Sequence, residues 1–182
     1  EPLANFANFM RAVRTLCSPD GIGMSPRKIT VSTSGFVPAM RKLAAEDLSL
    51  NLAVSLHAPD DETRRKLIPD KFRWPVEEIA RECIHYLKTT GRIVTLEYVL
   101  IAGINDSLSH ARRLAEFARR CRAKVNLIAY NESGSAGFKA PTSASLNKFK
   151  QAVADGGAAC TCRASRGGGI NAACGQLRSG RA

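Results

Sequence analysis

No run of 18 or more apolar residues occurs in this sequence, so nothing in it reads as a membrane span. It lacks an initiator methionine and a basic-then-apolar leader, and opens on "EPLANFANFM" as a segment cut from a longer chain would. Acidic residues are scarce: Asp and Glu number 16 against 27 Lys and Arg, for a formal net charge of +11. That imbalance points to a polyanionic partner, nucleic acid above all. Six cysteines are present, at 17, 83, 121, 160, 162 and 174, but none falls in a C-x-x-C or C-x-x-x-C-x-x-C group. With no secretory leader and no disulfide-scaffold composition, the reading is a reducing cytoplasm. The phosphate cradles G-x-x-x-x-G-K-[ST] and G-x-G-x-x-G are missing too, as is the G-x-S-x-G elbow.

What is there suits one α/β domain. The 182 residues, 45% of them hydrophobic, suffice for a real core. Helical spacing predicts helices over 1–17, 36–46, 59–68, 75–91, 106–121 and 143–157. Gly91 closes the fourth of these, and Asp106 or Ser107 caps the fifth. Between them lie short apolar runs: "RKITVSTSG" (27–35), "LNLAVSLHA" (50–58), "RIVTLEYVLIAGIN" (92–105), "AKVNLIAYN" (123–131) and "AACTCRASR" (158–166). Strand–helix alternation of this kind argues for parallel strands with crossover helices. A complete eight-fold barrel needs about 250 residues, so the expectation is four parallel βα units plus a C-terminal helix and strand, a piece of a barrel or an open α/β sheet with a bare edge. Residues 1–131 would hold the barrel units and 132–182 an extension within the same domain.

Chemistry in such folds sits at the C-terminal ends of the strands. There the sequence delivers "STSG" (32–35), "SLHAP" (55–59), "AGIND" (102–106) and "YNESGSAG" (130–137). Small hydroxyls, His57, Asn105 and Asn131 are expected around one mouth that suits a ligand with amine, carboxylate and hydroxyl groups. Each taken singly also reads as a turn former or cap, and His57 as a satisfied polar group at the core rim. Cys83 and Cys121 fall in amphipathic helices and read as buried small hydrophobes. Cys160 and Cys162 share one face of a strand; with no second ligand pair nearby, core packing outweighs half a metal site. Cys174 differs from these: it stands in "INAACGQL" between alanines and a glycine, downstream of a triple glycine.

The strings "KITVSTSGFVP", "LAVSLHAPDDETRRKLIP", "LEYVLIAGINDS", "KVNLIAYN" and "INAACGQL" resemble, in order and along almost the whole chain, the RlmN/Cfr family of radical S-adenosylmethionine (SAM) RNA methyltransferases. The resemblance implies a partial radical-SAM (βα)6-type barrel. It implies SAM held by Glu1, Ser32, the Ser55–Leu56–His57 stretch and Asn131, with Cys174 as the catalytic cysteine that is methylated and hands one carbon to RNA. It further implies a [4Fe-4S] cluster whose C-x-x-x-C-x-x-C ligands precede this segment, so no metal ligand is assigned here. An external electron donor, a monomeric state and adenosine C2 in large-subunit rRNA and tRNA as target complete the expectation. The alternatives are C8 methylation or a catalytically dead basic RNA-binding remnant. The family usually has acidic residues where this chain reads "RGGGIN", at Gly168, Gly169 and Asn171. A thiolate is the strongest side-chain nucleophile near neutral pH, which suits a methyl-accepting role for Cys174. The chain alone is not expected to turn over.

Overall fold

The structure, a computed structural model, describes residues 1–132 and 137–163. Five strands, β1 (Thr30–Thr33), β2 (Asn51–Ser55), β3 (Thr95–Leu100), β4 (Lys124–Ala129) and β5 (Cys160–Arg163), form one sheet in that spatial order. Every neighbouring pair is parallel. The helices are α1 (Phe6–Cys17), α2 (Val37–Ala44), α3 (Asp61–Leu67), α4 (Val76–Thr90), α5 (Leu108–Cys121) and α6 (Ser143–Asp155). Crossovers between parallel strands share one hand, so a sheet that always steps the same way carries its helices on one side. The four expected parallel units are present, with α6 and β5 extending them.

Side-chain alternation separates the two faces of the sheet. Val31, Leu52, Val54, Leu96, Tyr98, Leu100, Val125 and Leu127 are buried and join the residues of α2, α4, α5 and α6 in one hydrophobic cluster. Their strand neighbours Ser32, Ser55, Glu97, Asn126, Ile128 and Thr161 are half-buried or exposed. Cys160 and Cys162 pack against the cluster, as the core reading of that pair requires. β1 and β5 each pair on one side only among the described residues, so both ends of the sheet, and not one, are edges.

Local chemistry sets the helix limits. Asp60 accepts a hydrogen bond from the Thr63 N–H at 2.8 Å, Ser107 from His110 at 3.2 Å and Thr142 from Ser145 at 3.1 Å. Each satisfies a helix N–H that has no partner within its own helix. Ser107, not Asp106, is thus the cap of α5. Gly91 ends α4 at φ 67°, a conformation that costs glycine nothing. The strands are shorter than the apolar runs. Pro26 starts a 3-10 turn through Lys28, so β1 begins at Thr30. Arg92 is drawn to the Asn51 side chain and Ile93 is exposed, so β3 begins only at Thr95. The first helix also opens as a 3-10 turn, Pro2–Asn5, before α1.

Candidate functional site

The chain leaves β1 through Ser34 and Gly35 and turns directly into α2. Gly35 sits at φ 94°, and a Cβ there would fall 2.7 Å from Ile79 Cδ1, so only glycine fits this approach of strand end to α4. The Thr33 hydroxyl accepts from the N–H groups of Gly35 (3.2 Å) and Phe36 (3.1 Å) and donates to Glu1 Oε2 at 3.0 Å. Glu1 Oε2 also takes the Ser34 N–H at 2.8 Å and the Ser34 hydroxyl at 2.9 Å, while Oε1 takes the Leu3 N–H at 3.2 Å. Four hydrogen bonds thus aim this carboxylate. It borders a cavity of about 260 Å³ lined by Glu1, Pro2, Ser32, Thr33, Ser34, Ser55, Ile68 and Pro69.

Three of the residues expected from the sequence, Glu1, Ser32 and Ser55, therefore share one cavity at the strand C-termini. Leu56 is fully buried, and its backbone is engaged: its N–H donates to the Glu97 carbonyl at 3.0 Å and its carbonyl accepts from Ala58 and Arg64. His57 adopts φ 56°, and its Nδ1 accepts the Val99 N–H at 3.1 Å. Burial, helped by the Arg64 charge, lowers the His57 pKa to about 4, so the ring is neutral with its proton on Nε2. Neither His57 nor Asn131, which follows β4 by two residues, lines the cavity. Cys174 lies outside the described residues.

Asn105 does not face the mouth. It is 0% exposed and clasps two strand ends: Nδ2 donates to the carbonyls of His57 (2.8 Å) and Val99 (2.7 Å), and Oδ1 accepts the Ile101 N–H at 2.7 Å. Its own carbonyl takes the Tyr98 hydroxyl at 2.8 Å.

A second clasp was invisible in the sequence. Arg64, on α3, is 0% exposed, and its guanidinium donates to the carbonyls of Ser34 (3.0 Å), Ser55 (3.2 Å) and Leu56. It ties the ends of β1 and β2 together directly behind the cavity. Burial lowers its pKa to about 10, opposed by Asp61, so it remains a cation at neutral pH. Nothing in "DETRRKL" marks this arginine over its neighbour Arg65, since a guanidinium that serves only main-chain carbonyls leaves no paired acid to find.

The arrangement can hold a small zwitterion: an ammonium on the aimed Glu1 carboxylate, and a carboxylate near the serine hydroxyls in the field of Arg64. The cavity accommodates the amino-acid part of a ligand more readily than a whole nucleoside conjugate. Among the described residues no group of three His, Cys, Asp or Glu side chains could hold a metal ion. Cys83 and Cys121 are buried between α4 and α5, where the hydrogen bond between them and burial push the Cys83 thiol up. On the outer side, α5 and α6 frame a groove of about 650 Å³ with Arg112, Arg119 and Lys148 beside Glu116 and Asp155.

The chain is 45% identical over 178 residues to the "Dual-specificity RNA methyltransferase RlmN" of Geotalea uraniireducens, covering 98% of this chain and 52% of that protein. Over nearly its whole length the chain is thus similar to about half of an RlmN RNA methyltransferase. A radical SAM methyltransferase from Sphaerobacter thermophilus superposes with a TM-score of 0.91 at 45% identity, over 97% of this chain and 52% of its own. A domain of the pyruvate-formate lyase-activating enzyme from Bacteroides vulgatus shares the fold alone, with a TM-score of 0.66 at 17% identity over 90% of this chain and 94% of its own. No protein-family model matches the chain. The chain spans about half the length of the curated RlmN relatives it matches.

Proposed function

We propose that the protein to which this chain belongs is a radical SAM enzyme that methylates C2 of adenosine in large-subunit rRNA and in tRNA through a methylated cysteine, Cys174. The observation that carries the reading is the Glu1 carboxylate, aimed by four hydrogen bonds into a hydroxyl-lined cavity at the strand ends of an RlmN-type fold. When bound, SAM and a [4Fe-4S] cluster supply the methyl group and the radical chemistry. The chain's own part is to bind and orient. Glu1 takes the SAM ammonium and Ser32 and Ser55 offer hydroxyls; the Leu56–His57 stretch and Asn131, which lie outside this cavity, are assigned to SAM on the resemblance. Arg64 keeps the ends of β1 and β2 in register and sets a positive field for the SAM carboxylate. The excess of basic residues supports an RNA substrate, whose phosphates they attract. An external donor provides the electron, and the enzyme works as a monomer. The 182 residues contain no C-x-x-x-C-x-x-C segment, so this chain alone is expected not to turn over.

In the full-length protein, Glu1→Gln should weaken SAM binding about 10-fold or more, because a charge-assisted hydrogen bond is lost. Calorimetry that finds unchanged affinity removes Glu1 from the site. Cys174→Ala should bind SAM normally yet place no methyl on RNA, and mass spectrometry of the wild type should find the added methyl on the Cys174 peptide. Methylated RNA from Cys174→Ala would end the cysteine route.

A further inference from the structure

The open face of the sheet carries a polar row that the functional reading leaves unused. Ser55 pairs in register with Glu97, Glu97 with Asn126, and Asn126 with Thr161, so the four side chains stand level on β2, β3, β4 and β5. Hydrogen bonds run along the row in one direction. The Thr161 hydroxyl shares its proton between Asn126 Oδ1 and the Val125 carbonyl, each at 3.3 Å, and Asn126 Nδ2 donates to Glu97 Oε2 at 2.7 Å. The row therefore ends on a carboxylate. Glu97 is also anchored through its backbone, since its carbonyl accepts the N–H groups of Leu56 (3.0 Å) and His57 (3.3 Å). Its Oε1 takes no hydrogen bond from the described residues, and the side chain is half-buried on the side away from the helices. An anion positioned by two neutral side chains, with acceptor capacity left over, is built to receive donors from something outside the described residues.

We propose that Glu97 receives the vicinal ribose hydroxyls of the nucleoside whose amino-acid end lies on Glu1. The inference rests on the SAM reading above. Glu1 is bound to the end of β1, Ser55 lines the same cavity from β2, and Glu97 is the in-register neighbour of Ser55 on β3. Two strand spacings, about 10 Å, separate β1 from β3. The extended bond path of SAM from its ammonium nitrogen to its ribose hydroxyls can cover that span. A diol suits the remaining Glu97 acceptors because each hydroxyl is a single directional donor, and two of them can share one carboxylate. Asn126 and Thr161 are positioning residues: they touch no ligand and fix the carboxylate's rotation.

Calorimetry on the full-length protein with S-adenosylhomocysteine and its 2′-deoxy and 3′-deoxy counterparts tests this. The wild type should lose about 10-fold or more on removal of a hydroxyl that Glu97 holds. Glu97→Ala should bind S-adenosylhomocysteine about 10- to 100-fold more weakly and no longer distinguish it from the deoxy compound. Glu97→Ala that discriminates as the wild type does overturns the proposal, as does unchanged affinity with lost RNA methylation, which would assign Glu97 to the nucleic-acid substrate. Should Glu97→Ala fail to fold, Glu97→Gln and Asn126→Ala carry the test, and undiminished discrimination in both overturns it. Wild-type protein that binds neither SAM nor S-adenosylhomocysteine instead defeats the functional reading itself, a result separable from a fault at Glu97 alone.

Discussion

Two clasps hold the strand ends that surround the cavity, and they differ in charge. At β1 and β2 the clasp is Arg64, a cation that can only donate; at β2 and β3 it is Asn105, a neutral amide that donates and accepts. Both are fully buried, and both serve main-chain groups. A buried amide with its bonds made is nearly neutral in energy, whereas a buried cation without a bonded carboxylate carries a desolvation cost. Arginine at the first clasp therefore does something asparagine could not: it brings positive charge behind a cavity whose lining includes the Glu1 carboxylate. The second clasp serves main-chain groups away from the cavity.

The largest effect should follow removal of the cationic clasp. Arg64→Met leaves three carbonyls without their donor and should cost about 3–4 kcal/mol in chemical denaturation. Arg64→Lys keeps a charge but lacks the planar fork, and should recover less than half of that loss. A cost below about 1 kcal/mol for Arg64→Met would mean that the ends of β1 and β2 hold themselves.

Acid should act next, through His57, which lies between the clasps. Its folded pKa of about 4 is below the ordinary 6.5, so the unfolded chain binds the extra proton first. The corresponding stability is whole above about pH 6.5, falls as the pH drops from there to about 4, and changes no further below that. Protonation would also oblige Nδ1 to give up the Val99 N–H. The expected loss over this window is about 3 kcal/mol, read from unfolding curves of wild type against His57→Gln, whose slope in the window should be flatter. Identical slopes would show that the imidazole titrates normally.

The neutral clasp should give the smallest of the three changes. Asn105→Leu keeps the volume and removes three hydrogen bonds, for about 2 kcal/mol, and it should leave affinity for a carboxylate-bearing ligand closer to wild type than Arg64→Met does. Equal damage to binding by the two variants would erase the distinction between them.

The strands, the helix caps and the strand-end serines Ser32 and Ser55 were legible because their signals are local, whereas Glu1 was named through the resemblance alone. β-branched runs, Gly91 and Ser107 act within a few residues of themselves. Arg64, Asn105 and Glu97 were misread or passed over for the opposite reason. "DETRRKL" has the pattern of a solvated helix, and Asn105 in "AGIND" looks like any turn asparagine. Glu97 gains meaning only when β2 and β4 are set beside it in register. Strand ends were overextended where a side chain drew the backbone away, as Arg92 does toward Asn51. The position of Cys174 falls outside the described residues, so its role rests on the resemblance of "INAACGQL" alone.

The order of the strands also bears on how the chain acquires its shape. Among the described residues each strand pairs only with those before and after it in sequence, and the paired residues at the four steps are 21, 42, 29 and 35 positions apart. No strand has to wait for a distant one to be synthesised, and each addition closes a loop of modest, similar length, whose entropic cost grows only slowly with size. The sheet can thus grow by accretion during translation, each unit templating the next while the nascent chain is still emerging from the ribosome.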